Sequence, residues 1–235
     1  MHFVFVPGVG HGGWCWHPVG QRIHAAGHSA LALTMPGLSL GDDPRGLRLV
    51  DAVDHLVGEV ERRDLTDVVL VGHSWAGFPI TAAAPRLAAR LARIVFYSAY
   101  VPLPGESMAS ALGPETAEFM RATAEASPDG TIGMDFETFA NNLMPGEPAA
   151  AQRVIYDQLL PTPGGYVLDP IETDGIYTTG IPITYVLSEN DRSLAAPGLE
   201  LAARVGVQPI MVPGTHEALL THPDEVTKGL LADLD

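Results

Sequence analysis

The sequence is short of the residues on which several kinds of protein depend, and each shortage removes a class. There is one cysteine, Cys15, so neither an intrachain disulfide nor a cysteine metal cluster can form. Lys228 is the only lysine, and 13 basic residues against 28 acidic ones leave a formal net charge of -15. Binding to phosphate needs clustered Lys and Arg, so nucleic acid and anionic membranes are excluded as partners. No apolar run reaches the roughly 18 residues that cross a bilayer. The opening stretch, Met1 to Pro7, has no basic leader and soon gives way to glycines, so it reads as a strand and not as a signal peptide. A lone cysteine and no signal peptide predict a cytoplasmic protein. No H-E-x-x-H pair of histidines and no G-x-x-x-x-G-K loop occurs, and the glycine pattern of Gly8 to Gly13 is wrong for a dinucleotide loop. No metal and no cofactor are expected.

What remains is an ordinary globular composition, 46% apolar and 17% charged over 235 residues, enough for one well-buried core. Short β runs alternate with helical stretches in the first half. Strands are predicted at His2–Val6, Ser29–Leu33, Asp67–Val71 and Arg93–Ser98. Helices are predicted at Trp14–Ala26, at Leu49–Arg62 with Val50, Val53, Leu56, Val57 and Val60 on one side, and at Trp75–Ala84, broken at Pro85 and resumed to Leu91. The run Val68-Val69-Leu70-Val71 is of the kind buried on both faces. This rhythm implies a mostly parallel sheet of about six strands flanked by helices. It fails from residue 103 to 180, where prolines and glycines scatter and helical pieces are expected at Glu115–Glu125, Phe136–Leu143 and Pro148–Leu160. It returns with Ile181–Leu187, Gly198–Val205, Val207–Val212 and Pro223–Leu234. The expected organisation is one structural domain, a core of residues 1–102 and 181–235 with a helical cap, 103–180, inserted between them.

The sharpest local signal is Gly72-His73-Ser74-Trp75-Ala76-Gly77, which follows the dense strand and opens a helix. A serine on so tight a turn is held in a strained backbone conformation, and the residues two before and two after it must be small. Here they are Gly72 and Ala76, the second a departure from the usual glycine. A serine hydroxyl becomes a nucleophile when a base takes its proton and a carboxylate holds that base in the right tautomer. Where the nucleophile sits on such a turn, the acid and then the histidine follow later in the chain. The last two predicted strands run into Asp191 and into His216, so both groups reach the sheet edge where Ser74 emerges. Glu189 is the alternative acid. His73 points elsewhere by geometry, while His11 and His17 flank the first loop and are candidates for lining a pocket. A negative oxygen formed on a substrate carbonyl needs two N–H donors. Trp75, next to the serine, supplies one, and the glycine-rich loop after the first strand supplies the other from Val9, with Gly8 or Gly10 as alternatives.

The stretch His2 to Gly8 with Gly12-Gly13-Trp14-Cys15-Trp16, and the stretch Asp64 to Ser74, resemble a branch of the α/β-hydrolase superfamily. That branch contains bacterial carboxylesterases, plant salicylate-methylesterase-like enzymes and hydroxynitrile lyases. Val101-Pro102, Asp191-Arg192 and His216 fall where the branch has counterparts; the cap does not match well. The resemblance implies an α/β-hydrolase fold and cofactor-free acyl chemistry on small, mostly apolar esters, with a small-molecule substrate as the partner. A biosynthetic thioesterase, cyclase or lyase, or a noncatalytic ligand-binding protein, would use the same scaffold. Three departures stand out. Pro7-Gly8 replaces a usual His-Gly, Ala76 replaces a glycine, and Glu217 follows the histidine where the lyases carry a lysine. Glu217 has the wrong charge for cyanide and is expected in the first turn of a helix, favourable with its dipole. Phe119, Phe139 and Tyr156 of the cap are candidate substrate-binding residues. The cap has only Arg121 and Arg153 as cations, and Arg192 neighbours Asp191, so uncharged acyl groups are expected to be preferred.

Overall fold

The computed structural model describes residues 1–232 and Leu234. Its main sheet is built from β1 (His2–Val6), β2 (Ser29–Ala32), β3 (Val68–Ser74), β4 (Leu91–Ala99), and two late strands, Ile183–Ser188 and Ile210–Val212. Between β4 and those late strands lies a short antiparallel ribbon of β5 (Thr131–Ile132) and β6 (Thr162–Pro163). The late strands are therefore β7 and β8. The sheet has six strands in the order β2-β1-β3-β4-β7-β8, all pairs parallel. From β1 the chain goes first to one side and then to the other, so a switch point lies between β1 and β3. In open parallel sheets the crevice beyond the strand ends at such a point is where ligands bind.

Side-chain alternation explains why these strands are covered on both faces. Val4, Val6, Val68, Leu70, Ile94 and Phe96 join the core on one side. Phe3, Phe5, Val69, Val71, Val95 and Tyr97 join the core on the other. Burying each of the larger side chains contributes about 1.5–3 kcal/mol before the entropy of ordering is counted. The helices of the first half are α1 (His17–Ala25), α2 (Leu49–Arg62) and α3 (Gly77–Leu87). Helix α2 buries Leu49, Ala52, Val53, Leu56, Val57 and Val60. Val50, expected on that stripe, is exposed, because the stripe runs from Leu49 by steps of three and four and leaves Val50 at its edge.

The stretch between β4 and β7 carries α4 (Met108–Ala111), α5 (Pro114–Ala126), α6 (Phe136–Asn142), α7 (Ala149–Tyr156) and α8 (Gly164–Leu168). Phe139, Leu143, Met144 and Ile155 form a core of their own, whereas Tyr166 and Val167 of α8 pack into the main core. The chain ends with α9 (Gly198–Arg204), α10 (Ala218–Thr221) and α11 (Pro223–Leu231). Several boundaries differ from the sequence expectation for identifiable reasons. The first helix begins as a 3-10 turn, Gly13–Trp16, with the α-helix proper starting beside Pro18. Helix α3 continues through Pro85, and Gly175, at φ +47°, lies against the Thr81 carbonyl that Pro85 cannot bond. Leu91 begins β4 and does not end a helix. Helix α7 stops at Tyr156, and Leu160 donates its N–H to Gly10. Strand β8 starts only after Pro209, which has no N–H to give a ladder. The expected C-terminal helix extends over Asp233, which lies outside the described residues.

The serine turn is fixed by two glycines of unequal importance. A Cβ on Gly72 would meet Ile80 Cδ1 at 2.6 Å, the end of a side chain. A Cβ on Gly77 would lie 1.8 Å from the Tyr100 carbonyl oxygen, which is backbone and cannot swing away. The residue that must be glycine after the serine is thus Gly77, and Ala76, fully buried, fits as it stands. Gly77→Ala is expected to destabilise the fold by about 3 kcal/mol or more. Ala76→Gly is expected to change it by about 1 kcal/mol at most. Urea unfolding of the two variants checks both; equal stabilities would show that the α3–β4 approach is not tight.

Candidate active site

Ser74 ends β3 with φ +57°, a left-handed conformation that a serine adopts only when its surroundings enforce it. The enforcement is visible in the hydrogen bonds. Ala76 N–H donates to the His73 carbonyl, and Tyr100 N–H donates to the Ser74 carbonyl. The neighbouring strand gives way in step, with a register shift at His73/Ser74 and Ser98 at φ +41°. The loop after β1 runs across this turn. A Cβ on Gly8 would come within 3.0 Å of Ser74 Cβ and 3.5 Å of its Oγ. His11 N–H bonds the Gly8 carbonyl, closing a turn whose third place, Gly10, needs φ +73°. Among the described residues, neither Val9 N–H nor Trp75 N–H donates to a backbone carbonyl in the loops and turns. The indole of Trp75 points into the core, stacks on Tyr166 and donates to the Tyr166 carbonyl at 2.6 Å.

Asp191 and His216 come together from the ends of β7 and β8. His216 Nδ1 donates to Asp191 Oδ2 at 2.8 Å, and both side chains are all but fully buried. The other Asp191 oxygen accepts from the N–H and the hydroxyl of Ser193, each at 2.9 Å. Burial by itself would raise the Asp191 pKa, but the His216 charge and hydrogen bond and the two bonds from Ser193 outweigh it and hold the carboxyl below its ordinary value. Burial works against a charged His216; the Asp191 charge and hydrogen bond, with the Glu217 charge, outweigh it and raise the histidine. With Nδ1 committed to Asp191, Nε2 is the nitrogen left to accept a proton. Glu189 makes no contact with His216; its N–H pairs with the Val212 carbonyl.

The cap and loop candidates are distributed differently from expectation. Phe119 is 70% exposed on α5 and cannot line an enclosed pocket. Phe139 is fully buried inside the segment's own core. Tyr156 is half-buried and spends its hydroxyl on the Met134 carbonyl at 3.0 Å. His11 does not face outward to a ligand. It is buried, with Nδ1 2.8 Å from the Val9 carbonyl and Nε2 3.4 Å from Glu217 Oε2. Glu217 stands at the start of α10, as its N-cap residue, but its side chain turns into the interior. Its side chain is 0% exposed and makes no capping bond to α10.

His73 packs behind His216. Its Nε2 lies 3.1 Å from the His216 carbonyl, its ring lies 4.5 Å from that of His216, and it stacks on Tyr97. A carbonyl only accepts, so Nε2 carries the hydrogen. Burial first, then the charge on His216, lowers the His73 pKa to about 3, which keeps the ring neutral. His73, His216 and Glu217 each offer a ligand atom within 4.8 Å of the others. In each histidine one nitrogen is committed to Asp191 or to a carbonyl, and the carboxylate lies 3.4 Å from His11 Nε2. The parts sequence reasoning missed, His73 and Glu217, are the chain neighbours of the two residues it found.

Comparison with known proteins gives the family and the fold. The profile of a family described as "Alpha/beta hydrolase family" matches residues 3–228. The chain is 32% identical over 226 residues to esterase PIR7B of Oryza sativa subsp. japonica, covering 82% of this chain and 79% of that one. It is 34% identical over 140 residues to a carbendazim hydrolyzing esterase of Nocardioides sp. (strain SG-4G), covering 57% of this chain and 58% of that one, so the match spans less than two thirds of that relative. Among solved structures, an extracellular alpha/beta-hydrolase from a Paenibacillus species superposes with a TM-score of 0.92 at 23% identity over 98% of both chains. The methylesterase MES16 of Arabidopsis superposes at 0.77 and 22%, over 98% of this chain and 97% of that one. At these identities the two structures share the fold.

The pairing of His216 with Asp191 has a spectroscopic consequence. Removing the charge in Asp191→Asn is expected to lower the His216 pKa, followed by imidazole NMR titration. Glu189→Gln is expected to leave it where it is. A His216 titration displaced by Glu189→Gln and not by Asp191→Asn would reverse the pairing.

Proposed function

This chain belongs to the alpha/beta hydrolase family, and on that premise we propose that it is a carboxylesterase acting through an acyl-Ser74 intermediate. The observation that carries the reading is the buried Asp191–His216 pair held at the same sheet edge as a serine in a left-handed turn. The names of relatives, esterases and methylesterases, supply the class of bond.

Ser74 Oγ attacks the ester carbonyl while His216 Nε2 takes its proton. Asp191 keeps the Nδ1 hydrogen in place and stabilises the imidazolium, remaining ionised throughout. The carbonyl oxygen becomes negative and is received by the N–H groups of Val9 and Trp75, a contribution of roughly 3–4 kcal/mol to the barrier for each donor. His216 then protonates the departing alkoxide, leaving Ser74 acylated. Water enters, gives its proton to His216, and repeats the attack on the acyl carbon. The second tetrahedral species collapses to the acid and free Ser74, and the proton on His216 returns to the serine oxygen. No redox change and no cofactor enters this balance. The cytoplasmic setting, with Cys15 free and buried, is part of the same proposal.

The substrate class follows from what surrounds the serine. Ser74 is 6% exposed and His216 2%, which suits a small ligand that leaves water behind. The cations of the cap are engaged elsewhere, Arg121 with Glu118 and Arg153 with Asp157 and over the Phe136 and Tyr156 rings. Arg192 is exposed. A carboxylate on the substrate would lose its water with no cation to replace it. Neutral, mostly apolar acyl groups are therefore the proposed substrates.

Two outcomes are expected. Ser74→Ala abolishes both ester turnover and labelling by a fluorophosphonate probe while the melting temperature stays near that of the parent. A probe-labelled peptide without Ser74, or a parent protein that the probe does not touch, defeats the acyl-serine reading and favours a ligand-binding role. In a matched pair of esters differing by a terminal carboxylate, the neutral one has the higher kcat/KM. The reverse order would mean that Arg121, Arg153 or Arg192 reaches the acyl group.

A further inference from the structure

Behind the proposed triad lies a second acid–histidine contact that the mechanism above does not use. We propose that Glu217 and His11 form a buried carboxylate–imidazolium pair that positions the oxyanion loop from behind and sets a fixed negative charge beside His216. The proposal rests on the acyl-serine reading and extends it.

The protonation follows from the hydrogen bonds. His11 Nδ1 lies 2.8 Å from the Val9 carbonyl, which can only accept, so Nδ1 carries a hydrogen. Nε2 lies 3.4 Å from Glu217 Oε2. A bare nitrogen lone pair and a carboxylate would repel across that gap, so a proton must lie there. Burial alone would favour a neutral Glu217, but His11 foremost holds the carboxyl below its ordinary value. The proton is assigned to His11, whose Nε2 faces Glu217 Oε2 across 3.4 Å as a charge contact and not as a conventional hydrogen bond. No other partner is available to relieve a buried carboxylate: both Glu217 oxygens lack a conventional hydrogen bond among the described residues, and the side chain has no exposure. An unpaired charge so buried would cost far more than folding can offset.

The pair connects two parts of the site. Through Val9 it holds the loop whose Val9 N–H is the proposed oxyanion donor, fixing that residue between a gripped carbonyl and a free N–H. Through Glu217 it adjoins His216. The groups facing His216 are Asp191 from the end of β7, His73 from β3 and Glu217 from its own turn; Tyr97 of β4 packs on His73. The groups facing Glu217 are His11 from the loop after β1, His73, His216 and the Cys15 thiol, which burial first and the Glu217 charge second push well up. The effect of the Glu217 charge on His216 is to favour the protonated ring.

Replacing the carboxylate with an amide tests this. Glu217→Gln can still donate to His11, so the loop geometry survives, while the charge is gone. The ascending limb of kcat/KM against pH for a neutral aryl ester is expected to move to lower pH by about one pH unit. In Glu217→Asp, which keeps the charge, the limb stays at the parent position even if kcat falls. A residue serving stability alone would lower the melting temperature and leave the limb in place, and coincident limbs for Glu217→Gln and the parent overturn the proposal. If Glu217→Gln does not fold, the imidazole 15N spectrum of the parent decides: both His11 nitrogens are expected to carry hydrogen in the active protein. A bare Nε2 there overturns the pair. Failure of the fluorophosphonate to label Ser74 in the parent defeats the acyl-serine reading separately, and the His11 spectrum still judges the pair.

Discussion

The backbone of Ser74 is the constraint on which the rest depends. A non-glycine residue at φ +57° stores on the order of 1–3 kcal/mol, and the protein holds it there from three directions. Ile80 of α3 packs over Gly72, the Ser74 carbonyl is caught by Tyr100 N–H, and α3 presses its Gly77 onto the Tyr100 carbonyl. Strand β4 distorts alongside, so the strain is shared between two adjoining strands. This explains the irregular patch at the edge of the sheet that carries the serine. It also explains why the serine hydroxyl stands clear of the helix that follows.

Charge is arranged around that patch with unusual economy. A chain with 28 acidic residues puts two carboxylates, Asp191 and Glu217, in the interior near the site, each against a histidine. Between them His73 stays neutral, its donor spent on the His216 carbonyl and its ring laid against Tyr97. Some of the surface carboxylates pair locally with arginines, as Asp43 does with Arg45. Such pairs are worth little individually.

How much of this was legible in the sequence depended on whether the signal was local. The strands of the first half could be read because each is a short apolar run between turn residues, and the serine turn because its glycines sit at fixed offsets. Asp191 and His216 could be read because a parallel sheet delivers the ends of its strands to one edge. Glu217 could not, because its partner His11 lies at the other end of the chain, and an acid before a short helix looks like a residue favoured by the dipole. Phe119 looked like pocket lining by composition, and only its position on the outer face of α5 shows otherwise. The break expected at Pro85 failed for a related reason: the carbonyl it leaves free is covered by Gly175, which is distant in sequence.

The strand order carries a consequence for how the chain is made. Strands β1 to β4 pair among themselves in the order β2-β1-β3-β4, and β4 waits for β7, which is synthesised only after the whole stretch between them. Until then β4 is a free edge. Its residues Ile94 to Ala99 are buried in the finished fold, and it offers no lysine or proline to discourage a wrong neighbour. A nascent or partly unfolded chain therefore presents a long apolar strand edge for as long as the ribosome, or a refolding reaction, takes to deliver the last quarter of the molecule. The same quarter brings both Asp191 and His216, so the stage at which the protein is most open to aggregation is also the stage at which it has a serine turn with nothing to activate it.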